Sequence, residues 1–164
     1  KRQDAIKTSS AIDGMSSCCG WLFNGIGDFN GDGNSDVIIR NTTSGRWYIY
    51  NMSGTSIIKR GYIPIESAVY IDVQAVADFN NDGYSDVLLR NENTGEWTLA
   101  LVNTNTVIQE HAPPMSRVLS WKLVGAKDFD GNGSADILIR NSNSGAWYNY
   151  LYDGINVILS LIHI

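Results

Sequence analysis

Three short stretches of the chain concentrate oxygen donors: "DFNGDGNSD" at 28–36, "DFNNDGYSD" at 78–86 and "DFDGNGSAD" at 128–136. Each packs three carboxylates into nine residues, and like charges that close repel unless a cation lies between them. With Asp28 as position one, donors fall at positions one, three, five and nine: Asp28, Asn30, Asp32 and Asp36. The main-chain carbonyl of Asn34 is available at position seven. The second stretch supplies Asp78, Asn80, Asp82, the Tyr84 carbonyl and Asp86, and the third Asp128, Asp130, Asn132, the Ser134 carbonyl and Asp136. Odd-numbered donors on a tightly curled loop converge on one point, and Ca²⁺ accepts about six to eight hard oxygens in a tolerant geometry. Three Ca²⁺ sites are therefore expected.

Other readings of the loops are weaker. An EF-hand needs a bidentate Glu at position twelve, where this chain has Ile39, Leu89 and Ile139. Magnesium demands stricter octahedral geometry, and zinc wants His or Cys, which the loops lack. A run of Asx turns that binds nothing is the bland alternative, but turn chemistry alone does not require three acids every time. Nine of the 17 acidic residues lie in these loops, so three divalent ions would take the formal charge from -5 to +1.

The loops recur at an interval of 50 residues, and the similarity extends beyond them. Over the 20-residue windows starting at 28, 78 and 128, eight columns are identical: Asp28, Phe29, Gly33, Asp36, Arg40, Asn41, Gly45 and Trp47 in the first copy. Such self-similarity marks a repeated structural unit. Each unit reads as four strands: in the first, 21–29 before the loop, 36–41 after it, 46–53, and 55–63. "TTSG", "ENTG" and "SNSG" act as turns, with Gly where a positive φ is needed. Gly25, Gly27, Ala75, Ala77, Gly125 and Ala126 keep the first strand small, as where inner strands crowd around an axis. The expected fold is all-β: three 50-residue repeats, each a propeller-type blade of four antiparallel strands. The chain is expected to be a single repeat domain over 1–164, with repeats at 21–70, 71–120 and 121–164 and a possible outer strand in 1–20.

Composition agrees with this reading and excludes others. Hydrophobic residues make up 43% and charged residues 18%, with 16 Gly and 3 Pro, a turn-rich β balance. The net charge of -5 without clustered Lys or Arg argues against a nucleic-acid partner. No run of 18 apolar residues suggests membrane insertion. Adjacent Cys18 and Cys19 are expected as free or partly buried thiols, since a bridge between neighbours is strained.

"DFNGDGNSDVIIRN" resembles the FG-GAP or VCBS type of calcium-binding repeat, as in the integrin alpha-subunit propeller and many secreted bacterial proteins. The resemblance covers the chain from about Trp21 onward. It implies propeller blades whose calcium loops join the first two strands, and it carries metal-ligand roles to the fifteen positions named above. Such propellers commonly have seven blades, and three fall short of the roughly four to eight of closed rings. An incomplete propeller, an open array capped at its ends or part of a homo-oligomeric ring is expected, with apolar blade faces favouring self-association.

The function expected is a calcium-stabilised extracellular binding or adhesion module, secreted or at the cell surface, that recognises protein or glycan. A non-catalytic accessory domain of a secreted enzyme, with a carbohydrate-binding role, is the alternative. No catalytic set accompanies the loops: His111 and His163 stand outside the repeated framework and in no nucleophile motif. Trp47, Trp97 and Trp147 are expected to pack between blades rather than stack on sugars. Arg40, Arg90 and Arg140 are expected to bracket a nearby loop by ion pair or hydrogen bond. Asn41 ("NTT") and Asn51 ("NMS") fit the glycosylation sequon.

Overall fold

A computed structural model describes residues 20–66 and 68–163, with side chains described as far as residue 158. The described strands form three four-stranded antiparallel sheets, each in sequence order, and no helix is present among them. The first sheet comprises β1 (Trp21–Gly27), β2 (Asp36–Asn41), β3 (Trp47–Ser53) and β4 (Ser56–Ile63). In the second are β5 (Ile71–Ala77), β6 (Asp86–Asn91), β7 (Trp97–Asn103) and β8 (Thr106–His111). Completing the set, the third holds β9 (Trp121–Lys127), β10 (Asp136–Asn141), β11 (Trp147–Asp153) and β12 (Asn156–His163). All twelve strands fall where the sequence puts them, trimmed by one or two residues at some ends. Cys18, Cys19 and the stretch suggested as an outer strand lie outside the described residues.

The sheets stack face to face with their inner strands adjacent, β5 lying between β1 and β9. This is the arrangement of propeller blades, in which each sheet buries both faces against neighbours. The second strands read as apolar runs for that reason: β6 is almost wholly buried. Two cores result, one per blade junction, beside a smaller cluster of Ile39, Tyr50 and Met52 within blade 1. Phe29, Ile38, Trp47 and Ile49 of blade 1 meet Val87, Leu89, Ala100 and Val102 of blade 2. Phe79, Leu88, Trp97 and Leu99 of blade 2 meet Ile137, Ile139, Tyr150 and Tyr152 of blade 3 in the same way.

A bulge in each inner strand, between Phe23 and Gly25 in β1 and between Val73 and Ala75 in β5, shifts the pairing register by one residue. One extra residue reverses the alternation of side chains beyond it. Val73 and Val76 thereby share the face turned to blade 1. Gly25 and Gly27 share the opposite face of β1, where a Cβ on Gly27 would stand 2.6 Å from Val76 Cγ1 of the next blade. Small residues at these places answer to the close approach of inner strands.

Candidate metal centre

Each loop runs from the end of an inner strand to the buried start of the second strand. Its first carboxylate acts as a hub. Asp28 Oδ1 accepts from the main-chain N–H of Gly31 at 2.7 Å, and also from Asn30 and Asp32; Oδ2 accepts from Gly33 at 2.7 Å. Asp78 and Asp128 accept from Gly83 and Gly133 at 2.8 and 2.9 Å. Positive φ at Gly31 and Gly33 (74° and 82°) lets successive N–H groups turn inward, and Asn81 adopts 58° at the position where the other loops have Gly. Asx turns therefore do shape the loops. They employ the same oxygens that would face an ion, and a carboxylate oxygen has lone pairs enough for both.

These donors set the charge state at exposed positions. The main-chain N–H of Asn34, then the Asn30 side chain, holds Asp32 below the usual carboxylate range. Bonds from Gly133 and Gly131 do the same for Asp128. Both acids are thus kept ionised and ready to coordinate.

Position nine differs from the rest. Asp36, Asp86 and Asp136 are completely buried. Asp36 accepts from Phe29 N–H at 3.1 Å and Met52 N–H at 2.9 Å; Asp86 and Asp136 accept from Phe79 and Val102, and from Phe129 and Tyr152. The carboxylate thus ties the loop's second residue to the third strand. Burial, reinforced by Asp82 and Asp78, raises the Asp86 carboxyl to about 7 despite those bonds. A buried acid under that strain is one that a cation would relieve.

Two oxygens held at roughly 2.4 Å from one ion can stand no more than about 4.8 Å apart. In the third loop Asp128, Asp130 and Asp136 meet that limit: one oxygen of each lies within 4.8 Å of the others. Among the described residues the third loop alone brings three acidic side chains so close. The third acid of the other loops stands at position five instead of three, where Asp32 and Asp82 are held by Asn30 and Asn80 at 3.0 Å. Asn34 contributes more than a carbonyl, donating from Nδ2 to Asp32 at 2.9 Å. Tyr84 lies against Gly31 of the preceding loop, 2.7 Å from where a Cβ would be.

Loops of successive blades are joined through the main chain. Ser85 N–H donates to Asp28 O at 2.7 Å and Ala135 N–H to Asp78 O at 2.8 Å. Asn105 N–H donates to Phe29 O at 3.1 Å, while Asn51 Nδ2 reaches Asp36 at 2.6 Å and exchanges bonds with Asn105. These inter-blade contacts involve main-chain atoms and the side chains of two asparagines, Asn51 and Asn105, for which the repeat pattern held no signal. Asn51 is buried, which makes its sequon unsuitable for a glycan in the folded chain.

The repeated Arg and Trp take structural parts. Arg40 donates to Ile71 O and Ala68 O, and Arg90 to Trp121 O and Val118 O, each bracketing the entry to the next blade. The guanidinium also stands over the neighbouring Trp ring, 4.8 Å from the centroid of Trp47 and 4.5 Å from that of Trp97. Trp47 and Trp97 donate through Nε1 to Glu66 O and Ser116 O. The repeated Asn has a role of its own: Asn41 Oδ1 accepts from Thr43 and Ser44 N–H, closing the turn before β3.

Stacked four-stranded blades with an acidic loop after each inner strand define a propeller-type repeat protein. Residues 28–89, spanning the first loop through the second, match a family model described as an FG-GAP-like repeat. A comparison with curated protein sequences gives no match. No helix among the described residues is long and apolar enough to cross a membrane.

Proposed function

We infer that the chain is a calcium-stabilised binding or adhesion module that works outside the cell, secreted or at the cell surface, with a protein or glycan as partner. The observation that carries this reading is the convergence of Asp128, Asp130 and Asp136 within the span of a single ion's ligand sphere. Repetition of the loop supports two further sites, at Asp28, Asn30, Asp32, Asn34 and Asp36 and at Asp78, Asn80, Asp82, Tyr84 and Asp86. Bound calcium would neutralise the clustered acids and pin the first strand connection of each blade. The hubs at Asp28, Asp78 and Asp128 already orient the loops for it.

Weak calcium sites, with dissociation constants near 10⁻⁴ M, fill only where free calcium is about 10⁻³ M, as outside cells. At such an affinity the loops would be filled outside the cell and empty in the cytosol. The module is read as non-catalytic on residue chemistry: the repeated acids serve the loops, and the repeated Arg and Trp serve the junctions between blades. Recognition then falls to the variable turns at the blade rims. Thermal melting with millimolar calcium and with chelator tests the metal, and glycan arrays beside pull-downs separate the two partner classes. An unchanged melting temperature together with metal-free loops in calcium-soaked crystals would reject the reading.

A further inference from the structure

Successive loops meet at one particular place, the peptide group between positions seven and eight. The Tyr84 carbonyl stands at position seven of the second loop, and Ser85 N–H, in the same peptide group, donates to Asp28 O of the first loop at 2.7 Å. A trans peptide turns its C=O and N–H in opposite directions, and no cis bond occurs among the described residues. The peptide group that holds Asp28 O donates in turn through Phe29 N–H to Asp36 Oδ2 at 3.1 Å. Blade 3 repeats the line one step on: Ser134 carbonyl, Ala135 N–H to Asp78 O at 2.8 Å, and Phe79 N–H to Asp86 Oδ2 at 2.9 Å. Two peptide groups and two hydrogen bonds thus separate a position-seven oxygen in one loop from the position-nine carboxylate of the loop before it. The second loop takes part in both lines, through Tyr84 on one side and Asp86 on the other.

Side chains brace the same contacts. The Tyr84 ring lies against Gly31 of the first loop. Asn81 of the second loop lies against Gly133 of the third and donates through Nδ2 to Asn132 O at 3.4 Å. Asn51 ties Asp36 to Asn105 in the turn between β7 and β8 of the next blade. Phe29, Asp36, Phe79 and Asp86 are fully buried, so water does not compete for the inner end of either line. Hydrogen bonds shielded in this way are electrostatically stronger and hold their groups in register.

We propose that the loops take up calcium cooperatively, each filled loop raising the affinity of its neighbours through the peptide groups that join them. The inference rests on the calcium reading of the loops. With Tyr84 O engaged as a ligand, the 84–85 peptide plane is fixed, Ser85 N–H is held on Asp28 O, and Phe29 N–H is held on Asp36. The first loop then has less backbone freedom left to lose when it is filled. Coupling of affinities is reciprocal, so filling the first loop aids the second by the same factor. Repulsion between the ions acts the other way, but salt screens it and leaves the ordering effect in place. Cooperativity should therefore rise with ionic strength.

Calcium titration calorimetry and equilibrium dialysis on the full chain read the coupling. A gain in affinity of about fivefold per filled neighbour gives a Hill coefficient of about 1.5 for three loops of similar intrinsic affinity. Asp82→Asn disables the second loop at an exposed position, and its amide oxygen can still accept from Tyr84 N–H. The first and third loops, no longer joined through a filled neighbour, should then bind with a coefficient of one or below. Asp130→Asn disables the third loop, also at an exposed position, and should leave the first two coupled with a coefficient of about 1.4. Three ions bound by the unaltered chain with a coefficient of one or below overturn the proposal and leave the calcium reading standing. So does a coefficient that Asp82→Asn leaves unchanged, which would place the coupling in the chain as a whole instead of between neighbours. No calcium uptake at all removes both the reading and the proposal.

Discussion

Gly27→Ala is a sharp test of how closely the blades approach. A Cβ there would stand 2.5 Å from Ser85 Oγ, 2.6 Å from Ser85 Cβ and 2.6 Å from Val76 Cγ1. Non-bonded carbons rest about 3.5–4.0 Å apart, so the neighbouring blade must withdraw by roughly 1 Å. Rotation of the Ser85 hydroxyl does not help, because its Cβ and the Val76 methyl remain in the way, and Ser85 N–H is held to Asp28 O at 2.7 Å. Overpacking of this kind costs about 1–3 kcal/mol. Removing a glycine from a strand offsets about 0.5–1 kcal/mol of that. The net loss is on the order of 1–2 kcal/mol, or roughly 2–8 °C in melting temperature for a chain of this size. Gly61→Ala is the control: Gly61 lies in β4, and a Cβ there meets nothing within 4 Å. It should leave the melting temperature unchanged or raise it slightly. Differential scanning calorimetry in millimolar calcium reads both. Equal melting temperatures for the two variants would refute the claim that β1 and β5 touch through glycine.

Calcium at about ten times its dissociation constant should stabilise each site by about 1.4 kcal/mol, on the order of 4 kcal/mol for three independent sites, read as a fall in melting temperature on chelation. Asp128→Asn should abolish the third site's share in calcium titration calorimetry while the other two sites persist. Arg90→Ala removes a buried guanidinium that donates to Trp121 O and Val118 O and should cost about 2–4 kcal/mol in urea unfolding, against less than about 0.5 kcal/mol for Arg140→Ala at an exposed position. Because burial raises the Asp86 carboxyl to about 7, the folded metal-free chain binds a proton that the unfolded chain, near 3.8, has released. Stability from this group is therefore greatest at low pH and lost as pH rises through 7. With chelator present the melting temperature should fall between pH 5.5 and pH 8, and Asp86→Asn should flatten that slope.

Much of the fold is legible because a propeller blade is a local object. Its strands are neighbours in sequence, its turns announce themselves through Gly45, Gly95 and Gly145 at φ of 72°, 75° and 76°, and its loop is contained in nine residues. Repetition then turns a weak single-copy signal into a strong one: one Asx-rich turn is ordinary, and three at a fixed interval are not. The columns at Arg40 and Trp47 were legible as junction residues for the same reason. Illegible were the partners of those columns, since a main-chain carbonyl such as Ile71 O carries no mark in the sequence. The double duty of Asp36 was hidden too. Its position predicts a ligand, and only the folded chain brings Met52 N–H to its other side.

By itself, then, the sequence determined the repeat, the strand order within each blade, the acidic loops and the small residues of the inner strands. These follow from local steric and electrostatic constraints that each copy restates. Tertiary structure decided what depends on juxtaposition: the bulges that turn Val73 and Val76 to one side, the main-chain bonds between successive loops, and the contrast between buried Phe29 and exposed Phe129. Identical residues in identical strands differ there only in whether a neighbouring blade lies against them, and burial is a property of that neighbour as much as of the residue.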